Sequence, residues 1–212
     1  MFFRVFSDLG GKYKYACNDL SFDKREEKVC TACGRSYAVS TFHDECKNFV
    51  LDGGKKYPDF LSYTGPSGDL IPFIVSVRAL KLFEENGVSG FVNMGKVISS
   101  VKKRSAYIPD EQAPDYYLMD FLGTIDFDFK EMHLKKKRTC SKCGRFEWSR
   151  SRFGNVVLDK SSWNGMDICR LASIPNVIIC TEKVETLVRR NKLMGLIFQQ
   201  EQDIMSLRGL HE

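Results

Sequence analysis

Residues 74–86 read Ile74-Val75-Ser76-Val77-Arg78-Ala79-Leu80-Lys81-Leu82-Phe83-Glu84-Glu85-Asn86, with Gly90-Phe91-Val92 following. A related stretch appears 105 positions later: Ile179-Cys180-Thr181-Glu182-Lys183-Val184-Glu185-Thr186-Leu187-Val188-Arg189-Arg190-Asn191, then Gly195-Leu196-Ile197. Ala79, Leu82 and Phe83 match Val184, Leu187 and Val188, and each triplet recurs at the i, i+3, i+4 spacing of one helix face. Ser76 matches Thr181, each placed where a helix start wants a side-chain oxygen. Apolar runs flank both stretches: Phe73–Val75 and Phe91–Val92, then Val177–Ile179 and Leu196–Phe198. Each copy therefore reads strand, helix, strand. Gly87 is placed to end the first helix, whereas Lys192 occupies that position in the second, so a different helix end is expected there.

A second motif also recurs. Cys30-Thr31-Ala32-Cys33-Gly34-Arg35 returns 110 positions later as Cys140-Ser141-Lys142-Cys143-Gly144-Arg145. A Cys-x-x-Cys turn aims two sulfurs at one point, and the glycine lets the backbone curl until amides face them. One such turn is half of a tetrahedral thiolate site and two complete it, so Cys30, Cys33, Cys140 and Cys143 are read as ligands of one structural zinc ion. Lys28, Arg35, Lys137, Arg138, Lys142 and Arg145 flank the turns and would favour thiolates. Three lesser readings stand beside this one: a redox dithiol, two separate metal sites (the first completed by His43 and Cys46), and a vestigial site without metal. Four protein thiolates leave no open position, so a catalytic zinc is not expected.

The two repeats define an α+β fold of two duplicated α/β units, each with a Cys-x-x-Cys-Gly zinc knuckle, clasped by one shared four-cysteine zinc site. The first unit is read as residues 1–98 and the second as 140–212. The segment 99–139 lies between them as an acidic, loop-rich connector carrying Pro109 and Pro114, and the whole forms one compact unit.

The chain has 212 residues, enough for a sizeable core, and its 43% hydrophobic and 28% charged content is that of an ordinary globular protein. No apolar run approaches the ~20 residues of a membrane span. Its start lacks the features of a secretory signal, so cytoplasmic action is expected and paired Cys-x-x-Cys spacings favour metal over disulfides. No G-x-S-x-G elbow, phosphate-binding P-loop or H-E-x-x-H occurs, and the three histidines, His43, His133 and His211, form no catalytic constellation; the protein is read as a non-enzyme. Asp126 and Asp128 alternate with Phe127 and Phe129 as in a half-buried strand. Trp163-Asn164-Gly165-Met166-Asp167-Ile168 reads as a turn in which Trp163 packs and Asp167 caps. Cys180, aligned with Val75, reads as buried.

The two Cys turns, the run Trp163-Asn-Gly-Met-Asp-Ile-Cys-Arg170, and Ile179-Cys-Thr-Glu-Lys-Val184 through Gly195-Leu-Ile-Phe198 resemble the double-CxxCG motif family of bacterial proteins. Asn164 and Met166 depart from the acid and serine common there. The resemblance implies an immunity protein that binds and neutralises a cognate polymorphic toxin by direct docking. The acidic stretch 107–131 is the preferred docking surface, with Tyr107, Asp110, Asp115, Tyr116, Tyr117 and Asp120 as candidate contacts. The net charge of +5 argues mildly against a nuclease as target. The alternative is a zinc-ribbon protein that binds nucleic acid through Lys102-Lys103-Arg104 and Lys135–Arg138.

Overall fold

The structure, a computed structural model, describes residues 1–7, 13–17, 26–34, 36–39, 48–53, 55–61, 63–64, 73–103, 106–132, 136–140, 142, 146–148, 157–173 and 177–201. The chain runs through β1 (Phe2–Ser7), β2 (Lys14–Cys17), β3 (Glu26–Val29), β4 (Ser36–Val39), β5 (Asn48–Gly53), β6 (Phe60–Leu61), β7 (Tyr63–Thr64) and β8 (Phe73–Ser76). Helix α1 (Val77–Glu85) leads into the long β9 (Phe91–Lys103), followed by β10 (Ala106–Pro109), β11 (Tyr116–Phe121), β12 (Gly123–Phe127), β13 (Lys136–Thr139) and β14 (Phe146–Trp148). The remainder is β15 (Leu158–Asp159), β16 (Ile168–Leu171), β17 (Ile178–Thr181), α2 (Glu182–Arg190) and β18 (Leu196–Gln200). This is a mixed-sheet α+β fold. No helix among the described residues is long and apolar enough to cross a membrane.

Two sheets and two hairpins make up the strands. One sheet is ordered β15-β12-β16-β17-β1-β18, the other β6-β8-β11-β9-β5-β2-β7 with β10 beside β9; β3-β4 and β13-β14 stand apart. A central core takes Phe3, Val5, Ile178 and Cys180 from the first sheet, Phe60, Val75, Met119 and Phe121 from the second, and the apolar faces of both helices. Two further cores cover the outer faces, one around Phe2, Ile125, Phe127 and Ile179 and the other around Phe49, Ile74, Tyr116 and Leu118. The strands entering these cores are thus apolar on both faces.

The helix readings hold in their faces. Ala79 and Phe83 of α1, and Val184, Leu187 and Val188 of α2, are buried, while Leu82 is partly so. Ser76 caps α1 by accepting the Ala79 amide at 3.2 Å. Thr181 makes no such bond; its hydroxyl donates to Asp167 at 2.9 Å instead. The second helix end is corrected. Lys192 takes φ 51°, the same left-handed conformation as Gly87 at φ 57°. In both ends the next amide reaches back five residues, Val88 to Phe83 at 2.9 Å and Leu193 to Val188 at 3.0 Å. The bonds available at a helix end outweigh the side chain's objection to that backbone.

The segment 99–139 is also corrected: it is not loop-rich. It holds the end of β9, then β10, β11, β12 and β13. Asp110, Glu111, Asp115, Asp128 and Glu131 do lie in turns and connections, but β11 places Asp120 between buried Met119 and Phe121.

The two sheets share a pattern of pairing. Strand β11 lies antiparallel between β8 and β9, which flank α1. Strand β1 lies antiparallel between β17 and β18, which flank α2. Tyr116 faces Ser76 and Phe2 faces Thr181; Phe121 faces Phe91 and Ser7 faces Leu196. At corresponding points Val77 donates to the Asp115 carbonyl at 2.8 Å and Glu182 to that of Met1 at 3.1 Å. A bulge between Leu118 and Met119 interrupts the β11–β9 register.

Candidate metal centre

The first Cys-x-x-Cys-Gly turn, and Cys140 of the second motif, sit at the ends of the hairpins. Cys30 follows β3 and Cys140 follows β13, so the two short ladders hold the turns. In the first turn the Gly34 amide donates to the Cys30 carbonyl at 2.8 Å, closing it, and Gly34 adopts φ 71°, which a side chain would resist. The backbone amides of Ala32 and Cys33 point at the Cys30 sulfur and lower its thiol below the usual range.

Folding brings the turns together. The Sγ atoms of Cys30 and Cys140 stand 3.6 Å apart, and those of Cys30, Cys33 and Cys140 all lie within 4.8 Å of one another. Sulfurs bound tetrahedrally at ~2.3 Å from zinc are separated by about 3.8 Å, so three thiolates already span a zinc-sized site. Cys30 and Cys140 are buried and Cys33 is half-buried, so the centre is largely dry. The Lys142 ammonium donates to Thr31 Oγ1 at 2.7 Å, tying one turn to the other. The fourth expected ligand, Cys143, lies outside the described residues, as do His43, Cys46, His133 and His211.

The candidate docking residues are scattered in environment. Tyr116 is a correction: its ring is fully buried, and its hydroxyl donates to the Pro58 carbonyl at 2.7 Å. It is a core residue of β11 and offers nothing to a partner. Tyr117 is half-buried against the central core. Asp110 accepts the Tyr57 hydroxyl at 2.7 Å, Asp115 pairs with Lys96 at 2.7 Å, and Asp120 pairs with Arg170. Each carboxylate is thus answered within the chain. Tyr107 lies in β10, opposite Lys102.

Sequence reasoning missed the roles of Asp59 and understated Asp167. Asp59, 5% exposed, accepts the Ser76 hydroxyl at 2.8 Å and the Met194 amide at 2.9 Å. Asp167 accepts the Thr181 hydroxyl at 2.9 Å, the Ser89 amide and hydroxyl at 3.0 Å each, and the Lys183 ammonium at 3.0 Å. The available signal was their position: each stands immediately before an apolar pair, Phe60-Leu61 or Ile168-Cys169. Trp163 packs as expected, edge-on against Phe2 at 5.2 Å, with its indole N–H donating to the Met166 carbonyl at 2.8 Å.

Compared with known proteins, the chain matches no family model, and no curated protein matches it.

Proposed function

We propose that this chain is an immunity protein, a cytoplasmic binding protein that neutralises a cognate bacterial toxin by docking on it, and that its two halves are related units clasped by one structural zinc ion. The convergence of Cys30 and Cys33 with Cys140 supports the zinc clasp, and the resemblance of the run Trp163–Arg170 and of Ile179–Phe198 to the double-CxxCG family supports immunity. With Cys143 as fourth ligand the ion is closed to water and substrate. The metal then holds the hairpins of the two halves together and supplies no chemistry of its own. Catalysis is not part of the proposal; the work is done by surface complementarity.

The proposed docking surface keeps Tyr107, Asp110, Asp115 and Asp120, and loses Tyr116 to the core and Tyr117 to packing against it. Docking there requires the toxin's cations to outcompete Lys96 and Arg170 for their acids, which favours a partner with a concentrated positive patch. The test is co-expression with the C-terminal domain of the large reading frame beside the gene. Rescue of growth, together with a stable complex of the two purified proteins, supports the reading. A toxic domain that neither binds nor is neutralised rejects it.

A further inference from the structure

The contacts of the two halves correspond point by point, but they cross between the halves. Asp59 stands to Ser76 and Met194 as Asp167 stands to Thr181 and Ser89. The Phe60 amide donates to the Met194 carbonyl at 3.0 Å, and the Ile168 amide to that of Ser89 at 3.1 Å. A Cβ on Gly195 would overlap the Phe60 carbonyl oxygen, and one on Gly90 that of Ile168. Strand β2 pairs with β5 and with β7, and β12 pairs with β15 and β16, antiparallel then parallel in both cases. The exception to separate halves is the leading strand. Strand β1 belongs to the first half by sequence yet sits between β17 and β18 of the second. Strand β11 opens the second half yet sits between β8 and β9 of the first.

We infer that the molecule is two units that have exchanged their first strands, so that the surface between them is a pseudo-twofold interface whose natural partner is another unit of the same kind. The second unit begins near Asp115, the counterpart of Met1, and not at Cys140. Each unit lacks one strand and offers one, as in a domain-swapped dimer fused into a single chain. The cysteine turns also meet between the units, with Cys30 and Cys33 of one beside Cys140 of the other. Neither seat is filled by its own unit, which makes interlocking of the halves a condition for both sheets and for the metal centre.

This inference rests on the reading of two related units and not on toxin neutralisation, so its test does not measure protection. Equivalent seats should accept each other's strand. In the full chain, Phe2→Tyr, Phe3→Tyr, Arg4→Leu and Val5→Met together place the side chains of Tyr116–Met119 into β1. The chain should stay folded and melt within about 5 °C of the parent. A control with Phe3→Asn and Val5→Asn puts polar side chains into the central core and should unfold it. A graft no better tolerated than that control overturns equivalence of the seats. The exchange itself is read separately. Arg4→Cys and Gln199→Cys stand directly opposite on β1 and β18. After mild oxidation of the native protein a peptide map should show positions 4 and 199 linked by a disulfide, told apart by mass from any link between Cys30 and Cys140, whose sulfurs stand 3.6 Å apart. Positions 4 and 199 that stay unlinked overturn the exchange.

Discussion

Asp59 and Asp167 make the same cross-brace: each takes the hydroxyl that precedes a helix and a backbone amide from the other half of the chain. A carboxylate suits this post because two or more donors arrive from different directions and it can accept them all. Replacing Asp59 by Ala leaves the Ser76 hydroxyl and the Met194 amide unanswered in a buried place. Each unmet donor costs on the order of 1–3 kcal/mol, so Asp59→Ala should lose about 3 kcal/mol in urea unfolding. A loss under about 1 kcal/mol would show that water replaces the brace.

The bonds at Asp167 also carry a pH signature. Burial opposes its charge, but the Ser89 amide, Lys183, the Thr181 hydroxyl and the Ser89 hydroxyl together outweigh that and hold its carboxyl below the usual range. A carboxyl depressed in the folded state adds stability above its unfolded pKa of about 3.9, and that stability disappears as pH falls toward the folded value. Wild-type stability should therefore drop more steeply below pH ~4 than that of Asp167→Asn. Parallel curves for the two proteins would remove Asp167 from the acid response.

The helices, their buried faces and the cysteine turns were legible because each is written locally, in i, i+3, i+4 spacing or in a four-residue motif. The seats of β1 and β11 were not. Phe2-Phe3 and Tyr116-Tyr117 resemble each other only as aromatic pairs, and which strands a segment joins is decided by partners 19 or more residues away. The acids around β11 disguised it further. Tyr116, Leu118, Met119 and Phe121 are buried, because β11 sends Tyr116 and Leu118 into one core and Met119 and Phe121 into another, so no polar–apolar alternation announces a strand. Asp59 was invisible for a related reason: a buried acid is recognised by its donors, and these come from residues 76 and 194.

The two helix ends supply a controlled comparison. Lys192 and Gly87 hold the same left-handed backbone, which costs a residue with a Cβ roughly 1–2 kcal/mol relative to glycine. Part of that is offset by the greater freedom glycine brings to the unfolded chain. Lys192→Gly should raise stability by about 0.5–1 kcal/mol. Gly87→Ala should lower it by a similar amount, since a Cβ there meets no neighbouring atom and the backbone alone objects. Equal and opposite shifts in urea midpoint would confirm the shared geometry; a destabilising Lys192→Gly would contradict it.

Thiol chemistry separates the cysteine classes. Burial pushes the Cys169 thiol up to about 11, and that of Cys180 well above its ordinary value. The thiolate is the reactive form, so at pH 8 well under ~1% of Cys169 is available even before access is considered. Iodoacetamide applied to the native protein should leave both residues unmodified in a peptide map, and denaturant should expose them together. Selective labelling of Cys180 in the folded state would mean that the central core opens locally.

Metal removal tests the clasp itself. Purified protein should hold close to one zinc per chain, and Cys140→Ser should reduce that content and lower the melting temperature by about 10 °C or more, because binding energy at a structural site is folding energy. The loss should be global. Cys30 and Cys140 lie in different halves, so an unmade site frees both hairpins and loosens the surface across which β1 and β11 are exchanged. Hydrogen exchange should then rise in β1 and β11 as well as around the cysteine turns. Faster exchange confined to the hairpins would reduce the metal to a local staple.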